Sequence, residues 1–421
     1  MNREERQFDL LKKLAFVRTS GSDEELKAAS ILREELTNLG VESKLEPFKV
    51  MQYNVHKAKL EILEPFNEEI IVEGIGFTGN TPEEGLTAEL EYVEQAEPIN
   101  LVNAKGKIVL VNSGLTVEKY KNIVKAGAIG FITFSGKFND DEEKTDIDLR
   151  AIRKHHLEFG KIPGVTMRVK DAIEMVKNEV TKVRMTLIQE EGEVDSHNVI
   201  AEIKGTCYPE DIVIFMAHYD SVAFSTGVYD NGAGSVNIME ILRYYLENAP
   251  KRTLRFIWFG SEEVGLLGSK AYVESHADEL ESIKFGINID LGGTVLGEDK
   301  ANIMAEESLC NMLEFYSKEV CFPLTIKQSI YSSDSIPFSD KGIPTVNFLR
   351  IGAPGSVEIH NRYDILETLS PKTLYNTMKF IQDFSEKIIN SHILPVPRKI
   401  PENIVKDIDK YLRKENSKDQ K

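Results

Sequence analysis

The alternation of apolar and polar positions divides the chain into three textures. Near the N-terminus, "RTSGSDEELKAASILREELTNLG" places Leu26, Ala29, Leu32, Leu36 and Leu39 at helical spacing, with Ser22 and Glu25 spaced as a capping box and Gly40 as a stop. The next runs, "VESKLEPFKV" and "NVHKAKLEIL", roughly alternate and are expected to be strands with one wet face. From about residue 65 to 185 the pattern changes: "GKIVLVNSG" and "IGFITFSG" are short strands, "VEKYKNIVKAGA" is a helix, and "IPGVTMRVKDAIEMVKN" passes from strand to helix. The acidic run "NDDEEKTDID" between them reads as a solvated loop. This order implies a small α/β module inserted into a larger body.

From about residue 190 the pattern becomes strand, loop, helix. "NVIAEIKG", "DIVIFMAH", "TLRFIWFG", "FGINIDLG" and "PTVNFLRIG" are strands; "GSVNIMEILRYYLEN" and "LLGSKAYVESH" are helices. Continuous apolar strands alternating with helices predict an α/β fold, a mixed and mostly parallel sheet covered on both faces. The expected division is a discontinuous main domain, 1–64 and 186–395, an insert, 65–185, and a helical tail, 396–421. In that tail Ile404, Ile408, Tyr411 and Leu412 form a helical stripe expected to pack on the body, with the last residues frayed.

Composition narrows the function classes. The 421 residues carry a formal charge of −17, which opposes a nucleic-acid or anionic-membrane partner. No apolar run approaches the roughly 20 residues that span a bilayer, and no secretory signal is recognisable, so the cytoplasm is the expected address. Cys207, Cys310 and Cys321 are scattered, as in a reduced compartment. "GIGFTG" at Gly74 to Gly79 matches GxGxxG, but Pro82 and an alternating run follow it, so a turn and strand are expected there rather than a nucleotide site.

The informative residues are those that follow the strands. His218 and Asp220 end one, Asp230 precedes the next helix, Glu262 and Glu263 end another, and Asp290 and His360 follow two more. Ligands in such sheets bind beyond the carboxyl ends of the strands. Two imidazoles and several carboxylates at one sheet edge suggest a metal site, and nitrogen and oxygen donors without thiolates suit zinc, with cobalt or manganese as substitutes. If Asp230 bridges, two ions each receive one histidine and one further carboxylate. Taken singly, Asp230 could be a helix N-cap, the Glu262 and Glu263 pair could complement a helix dipole, and each histidine could be structural. His155 and His156 sit in a polar stretch where exposure is expected. Tyr331, three residues before Asp334, is a candidate hydrogen-bond donor at such a site.

The successive motifs "AHYDS", "YDNGAGS", "FGSEEVGLLGS", "NIDLGG", "SSDSIPFSDKGIPTV" and "EIHNRYD" resemble those of the co-catalytic two-zinc exopeptidases, metallopeptidase family 28, which includes bacterial leucyl aminopeptidases and glutamate carboxypeptidases. The inserted segment is similar to a protease-associated domain in "GKIVLVNSG", "KAGAIGFI" and "IPGVTM". The resemblance implies that His218 and Asp290 hold one zinc and Glu263 and His360 the other, with Asp230 bridging. It implies Glu262 as general base, taking a proton from a water made acidic by two cations, and Asp220 as the carboxylate that orients the His218 ring. Where the family often has "SDH" or "SDY" this chain has Ser335, and Asn361 follows His360 in place of Thr or Ser; both departures bear on specificity.

The expected activity is a zinc aminopeptidase acting on peptides. The alternatives are a carboxypeptidase, a glutaminyl-cyclase-like acyltransferase and a non-catalytic receptor relative. A carboxypeptidase should gather arginines around the pocket, and Arg350 and Arg362 flank His360. The insert could serve as a lid, a substrate filter or an oligomer surface.

Overall fold

Asn2 caps α1 (Arg3–Lys13) by accepting the Glu5 amide, and Ser22 caps α2 (Asp23–Asn38) by accepting that of Glu25. The expected capping box on α2 does not close. The Glu25 side chain turns inward beside Ala28, Ala29, Leu32 and Leu36, while Leu26 is exposed, so the buried stripe is rotated from the one expected. A tertiary bond to Ser261, 236 residues away, causes this. The two alternating runs form one strand, β1 (Ser43–Glu64), since nothing between them supplies a turn residue.

The insert contains β2 (Glu68–Ile70), β3 (Val72–Gly74), β4 (Leu86–Tyr92), β5 (Ile108–Leu110), α3 (Val117–Lys125), β6 (Gly130–Ser135), α4 (Lys154–Leu157), β7 (Gly164–Arg168) and α5 (Val169–Lys177). Strands β4, β5, β6 and β7 are parallel neighbours, and β3 pairs antiparallel with β7. One sheet face buries Ile108, Leu110, Ile132 and Val165, and the other Val109, Val111 and Phe131 with Tyr120 and Ile123 of α3. No helix follows "GIGFTG"; the next strand is β4. The expected exposure of His156 is not found: the ring is buried against Tyr120, with its nitrogens facing the Arg153 and Leu115 carbonyls.

Next comes β8 (Lys182–Ile203). The structure, a computed structural model, describes residues 2–112 and 114–414, which divide into Met1–Val50 with Val194–Lys421, and Met51–Glu193. The units part at 50/51 within β1 and at 193/194 within β8, away from the expected 64/65 and 185/186. A strand that continues through a boundary leaves no loop to mark it.

The larger unit continues with β9 (Tyr208–His218), α6 (Ala233–Glu247), β10 (Arg252–Phe259), α7 (Leu267–Ser275), β11 (Ile283–Ile289), β12 (Gly297–Met304), α8 (Glu307–Glu319), β13 (Thr325–Gln328), α9 (Ser335–Asp340), β14 (Thr345–Gly352), α10 (Pro371–Ile389) and α11 (Glu402–Tyr411). Its sheet runs β13, β12, β14, β11, β9, β10, β8. The central β14, β11, β9 and β10 are mutually parallel, and β12 and β8 join them antiparallel. Val213, Phe215 and Ala217 of β9 face a core shared with α1, α2, α6 and α10, while Ile214 and Met216 face Tyr272 of α7 and Phe338 of α9. Burial on both faces explains why these strands read as unbroken apolar runs. In α11, Ile404 and Ile408 pack with Leu266, Met304 and Ile336 as expected; the fraying expected of the last residues falls outside the described ones. No helix among the described residues is long and apolar enough to cross a membrane.

Candidate metal centre

Because β10 and β11 flank β9 on opposite sides, the winding of the sheet reverses at β9, and a crevice opens beyond its carboxyl end. His218 is the last residue of β9, and Asp290 directly follows β11. The His218 Nε2 lies 3.2 Å from Asp230 Oδ1 and 3.6 Å from Asp290 Oδ1. His360 Nε2 lies 3.2 Å from the other Asp230 oxygen and 3.2 Å from Glu263 Oε2. Two groups that could each hold a metal ion therefore share Asp230: His218, Asp230 and Asp290, and Asp230, Glu263 and His360, with ligand atoms within 4.8 Å of one another in each.

Asp230 is not a helix cap. The N-cap of α6 is Gly232, and Asp230 sits before it in an extended backbone conformation, with φ −119° and ψ 92°. Asp364 holds this segment by accepting the amides of Tyr229 at 2.8 Å and Asp230 at 3.1 Å. Asn231 ties it to β11 by donating to the Ile289 carbonyl at 2.8 Å and accepting the amides of Gly234 and Leu291. A Cβ on Gly234 would collide with that same carbonyl, which is why glycine begins the helix here. Beneath these loops Arg18 is fully buried and donates to the carbonyls of Leu14, Phe16, Tyr219, Thr226 and Gly227. Burial lowers its pKa to about 10 against the pull of Asp364 and Asp220, so it stays charged at neutral pH.

Asp220 Oδ1 lies 3.4 Å from His218 Nδ1, and its two oxygens accept the amides of Glu262 and Glu263 at 3.0 and 3.2 Å. The Glu262 carboxyl, 9% exposed, is pushed well above the usual carboxylate range, first by burial and then by Asp334, Glu263 and Asp290, with His218 opposing. Burial and Asp230 push Glu263 up to about 7, and burial brings Asp334 to about 7 against the pull of His218. Close bonds to Asp230 and Glu263 raise His360 to about 10. His360 also adopts a left-handed backbone, φ 61°. Half-buried Tyr331 is raised first by burial and then by the Asp290 and Asp230 carboxylates.

The residues fit divalent cations. Carboxylates outnumber positive groups around buried His218, the Nε2 of each imidazole lies near two carboxylate oxygens, and Glu263 Oε1 is buried without a hydrogen-bond partner. The profile described as Peptidase family M28 matches residues 198–385, which span every one of these ligand-type side chains, and the PA domain profile matches residues 75–171. Residues 198–385 thus form an M28 peptidase domain. The chain is a hydrolase acting on peptide bonds, with a PA domain match at 75–171 ahead of that domain.

Among relatives of this chain, aminopeptidase YwaD of Bacillus subtilis (strain 168) is 28% identical, over 85% of this chain and 78% of the relative. Carboxypeptidase Q of Bos taurus is 27% identical, over 85% and 79%. The solved structure of BSAP, a zinc aminopeptidase from Bacillus subtilis, superposes with a TM-score of 0.78 at 25% identity, covering 95% of this chain and 98% of that one.

All the residues expected to carry chemistry converge on this crevice: His218, Asp220, Asp230, Glu262, Glu263, Asp290 and His360, with Tyr331 at its edge. Arg350 does not act as a free cation there. It donates to the Thr294 carbonyl and pairs with Asp299 at 2.6 Å. Sequence reasoning passed over Arg18 and Asp364, whose sole signal is a charged residue among neighbours that need none, and took Glu25 only as part of a helix start.

Proposed function

We propose that this chain is an aminopeptidase with two zinc ions, one held by His218 and Asp290, one by Glu263 and His360, and Asp230 bridging. The carrying observation is the shared Asp230, whose two oxygens each face one histidine at 3.2 Å. Bound there, the ions would supply a nucleophilic water near neutral pH and polarise the scissile carbonyl. Glu262, which burial makes strongly basic, takes the proton of that water and returns it to the departing amine. Asp220 acts in two places, facing His218 Nδ1 to fix the ring's tautomer and clamping the backbone of the base. Tyr331 keeps its phenolic proton, because burial and then the nearby carboxylates disfavour its ionisation, and donates to the developing oxyanion.

The acidic crevice suits a substrate ammonium group. Arg350, one of the two arginines flanking His360, is engaged by Asp299, which favours removal of N-terminal over C-terminal residues. The carboxypeptidase Q relatives motivate the second reading. The test uses an amino-acid anilide and an N-blocked peptide, each with chelated enzyme and with enzyme reloaded with zinc. The expected result is anilide hydrolysis restored by zinc with the blocked peptide intact. Cleavage of the blocked peptide alone would favour the carboxypeptidase, and chelator-resistant anilide hydrolysis would remove the metal reading.

A further inference from the structure

The turn that carries Glu262 and Glu263 is held in an unfavourable shape. Ser261 has φ 57°, in the left-handed region that costs a non-glycine residue about 1–2 kcal/mol. Its neighbours must impose that conformation, and the three consecutive amides from 261 to 263 show how. Each donates to a buried carboxylate: Ser261 to Glu25 Oε1 at 2.9 Å, and Glu262 and Glu263 to the two oxygens of Asp220. The Ser261 hydroxyl also donates to Glu25, at 3.1 Å, and the second Glu25 oxygen accepts the Gly21 amide at 2.7 Å. The carboxylate lies so close to Gly260 that a Cβ there would approach Glu25 Oε1 to 2.9 Å.

From this geometry we infer that Glu25 is a positioning residue for the catalytic base. Glu25 belongs to α2, lies outside residues 198–385, and touches none of the proposed ligands. Its carboxylate is 1% exposed and spends its oxygens on the N-terminal turn of α2 and on Ser261, so it fixes the peptide just before Glu262 relative to a rigid helix. Without that acceptor, Ser261 relaxes toward negative φ, the 261–262 peptide rotates, and the Glu262 carboxyl leaves the position from which it reaches the attacking water. Substrate binding depends on other groups and stays in place. The inference rests on the reading of Glu262 as the base.

The experiment compares Glu25→Ala and Glu25→Gln with the parent enzyme, full length and loaded with zinc. Active sites are counted by titration with an amino-acid hydroxamate. Glu25→Ala is expected to lower kcat per titrated site by about 10–100-fold with KM within about threefold, the scale of a misplaced catalytic group. Glu25→Gln keeps one acceptor oxygen for the Ser261 amide but sets its amino group against the Gly21 N–H, so it should recover only part of that loss. A second measurement needs neither metal nor turnover: in the metal-free proteins, amide hydrogen exchange over 260–266 should speed up by at least about tenfold in Glu25→Ala. It keeps the inference testable should Glu262 prove not to be the base. In Glu25→Ala, turnover per titrated site within twofold of the parent, or unchanged exchange over 260–266, would overturn the assignment. If Glu25→Ala does not fold, the same two measurements on Glu25→Asp decide, because the shorter side chain cannot keep both the Gly21 and Ser261 contacts.

Discussion

Replacing Glu262 by glutamine should move activity and stability in opposite directions. The substitution keeps the shape of the side chain, and the anchors of residue 262 are backbone bonds: its amide to Asp220, and its carbonyl to the amides of Gly265 and Leu266. None of them involves the carboxyl. Loss of a general base costs about 10²–10⁴-fold in kcat, equivalent to about 2.7–5.4 kcal/mol of transition-state stabilisation. Stability should change with the other sign. Burial beside Asp334, Glu263 and Asp290 raises the Glu262 pKa, so above the ordinary carboxylate pKa folding carries the cost of protonating the group or holding its charge, and a neutral amide removes that cost. Trp258 makes this measurable. It is the single tryptophan in the sequence, fully buried in β10, with its ring N–H on the Ser235 carbonyl at 2.9 Å. Its fluorescence in urea therefore follows the catalytic unit alone, which avoids treating two units as one transition. The expected outcome is a midpoint for the metal-free variant equal to or above that of the parent, with anilide turnover down at least a hundredfold and zinc content unchanged. Turnover within tenfold of the parent would refute the assignment, and so would a fall in activity matched by a fall in midpoint.

Gly234→Ala should weaken both fold and metal binding, since the added methyl drives α6 away from the Ile289 carbonyl just before Asp290; a loss of about 1–3 kcal/mol in urea unfolding and weaker zinc retention against a chelator are expected. In the insert, Glu61 receives a two-pronged bond from Arg184 at 2.8 and 2.9 Å, which, with Lys59, holds its pKa down to about 2. A carboxyl depressed in the folded state stabilises above its unfolded pKa, and that share is lost as pH falls from about 4.5 through 2. Carbon-detected NMR titration should show Glu61 returning to the ordinary carboxylate range in Arg184→Ala, and an unchanged Glu61 titration would contradict the pairing.

The ligand-type residues were legible because parallel strands buried on both faces leave polar chemistry only at their ends. His218, Asp290 and the Glu262–Glu263 pair stand out after unbroken apolar runs. The support beneath them was hidden for the opposite reason. Ser22 and Glu25 form a complete local helix-start signal, so nothing in the segment announces that Glu25 serves Ser261 instead. Arg18 and Asp364 satisfy backbone groups of loops distant in sequence, and such bonds leave no periodicity. β1 was read in two pieces and only the end of β8 was read as a strand, because a half-wet strand shows weak alternation wherever both faces become polar.

The proposed ion sites also differ in when a ribosome delivers them. His218, Asp230 and Asp290 have all been made by residue 290, whereas the other triad waits for His360, roughly 70 residues later, which at about 5–20 residues per second is a lag of about 4–14 s. A nascent chain at that stage has the donors of the first triad but not Asp364, which fixes the Asp230 segment, so neither site is fully supported until synthesis has passed residue 364.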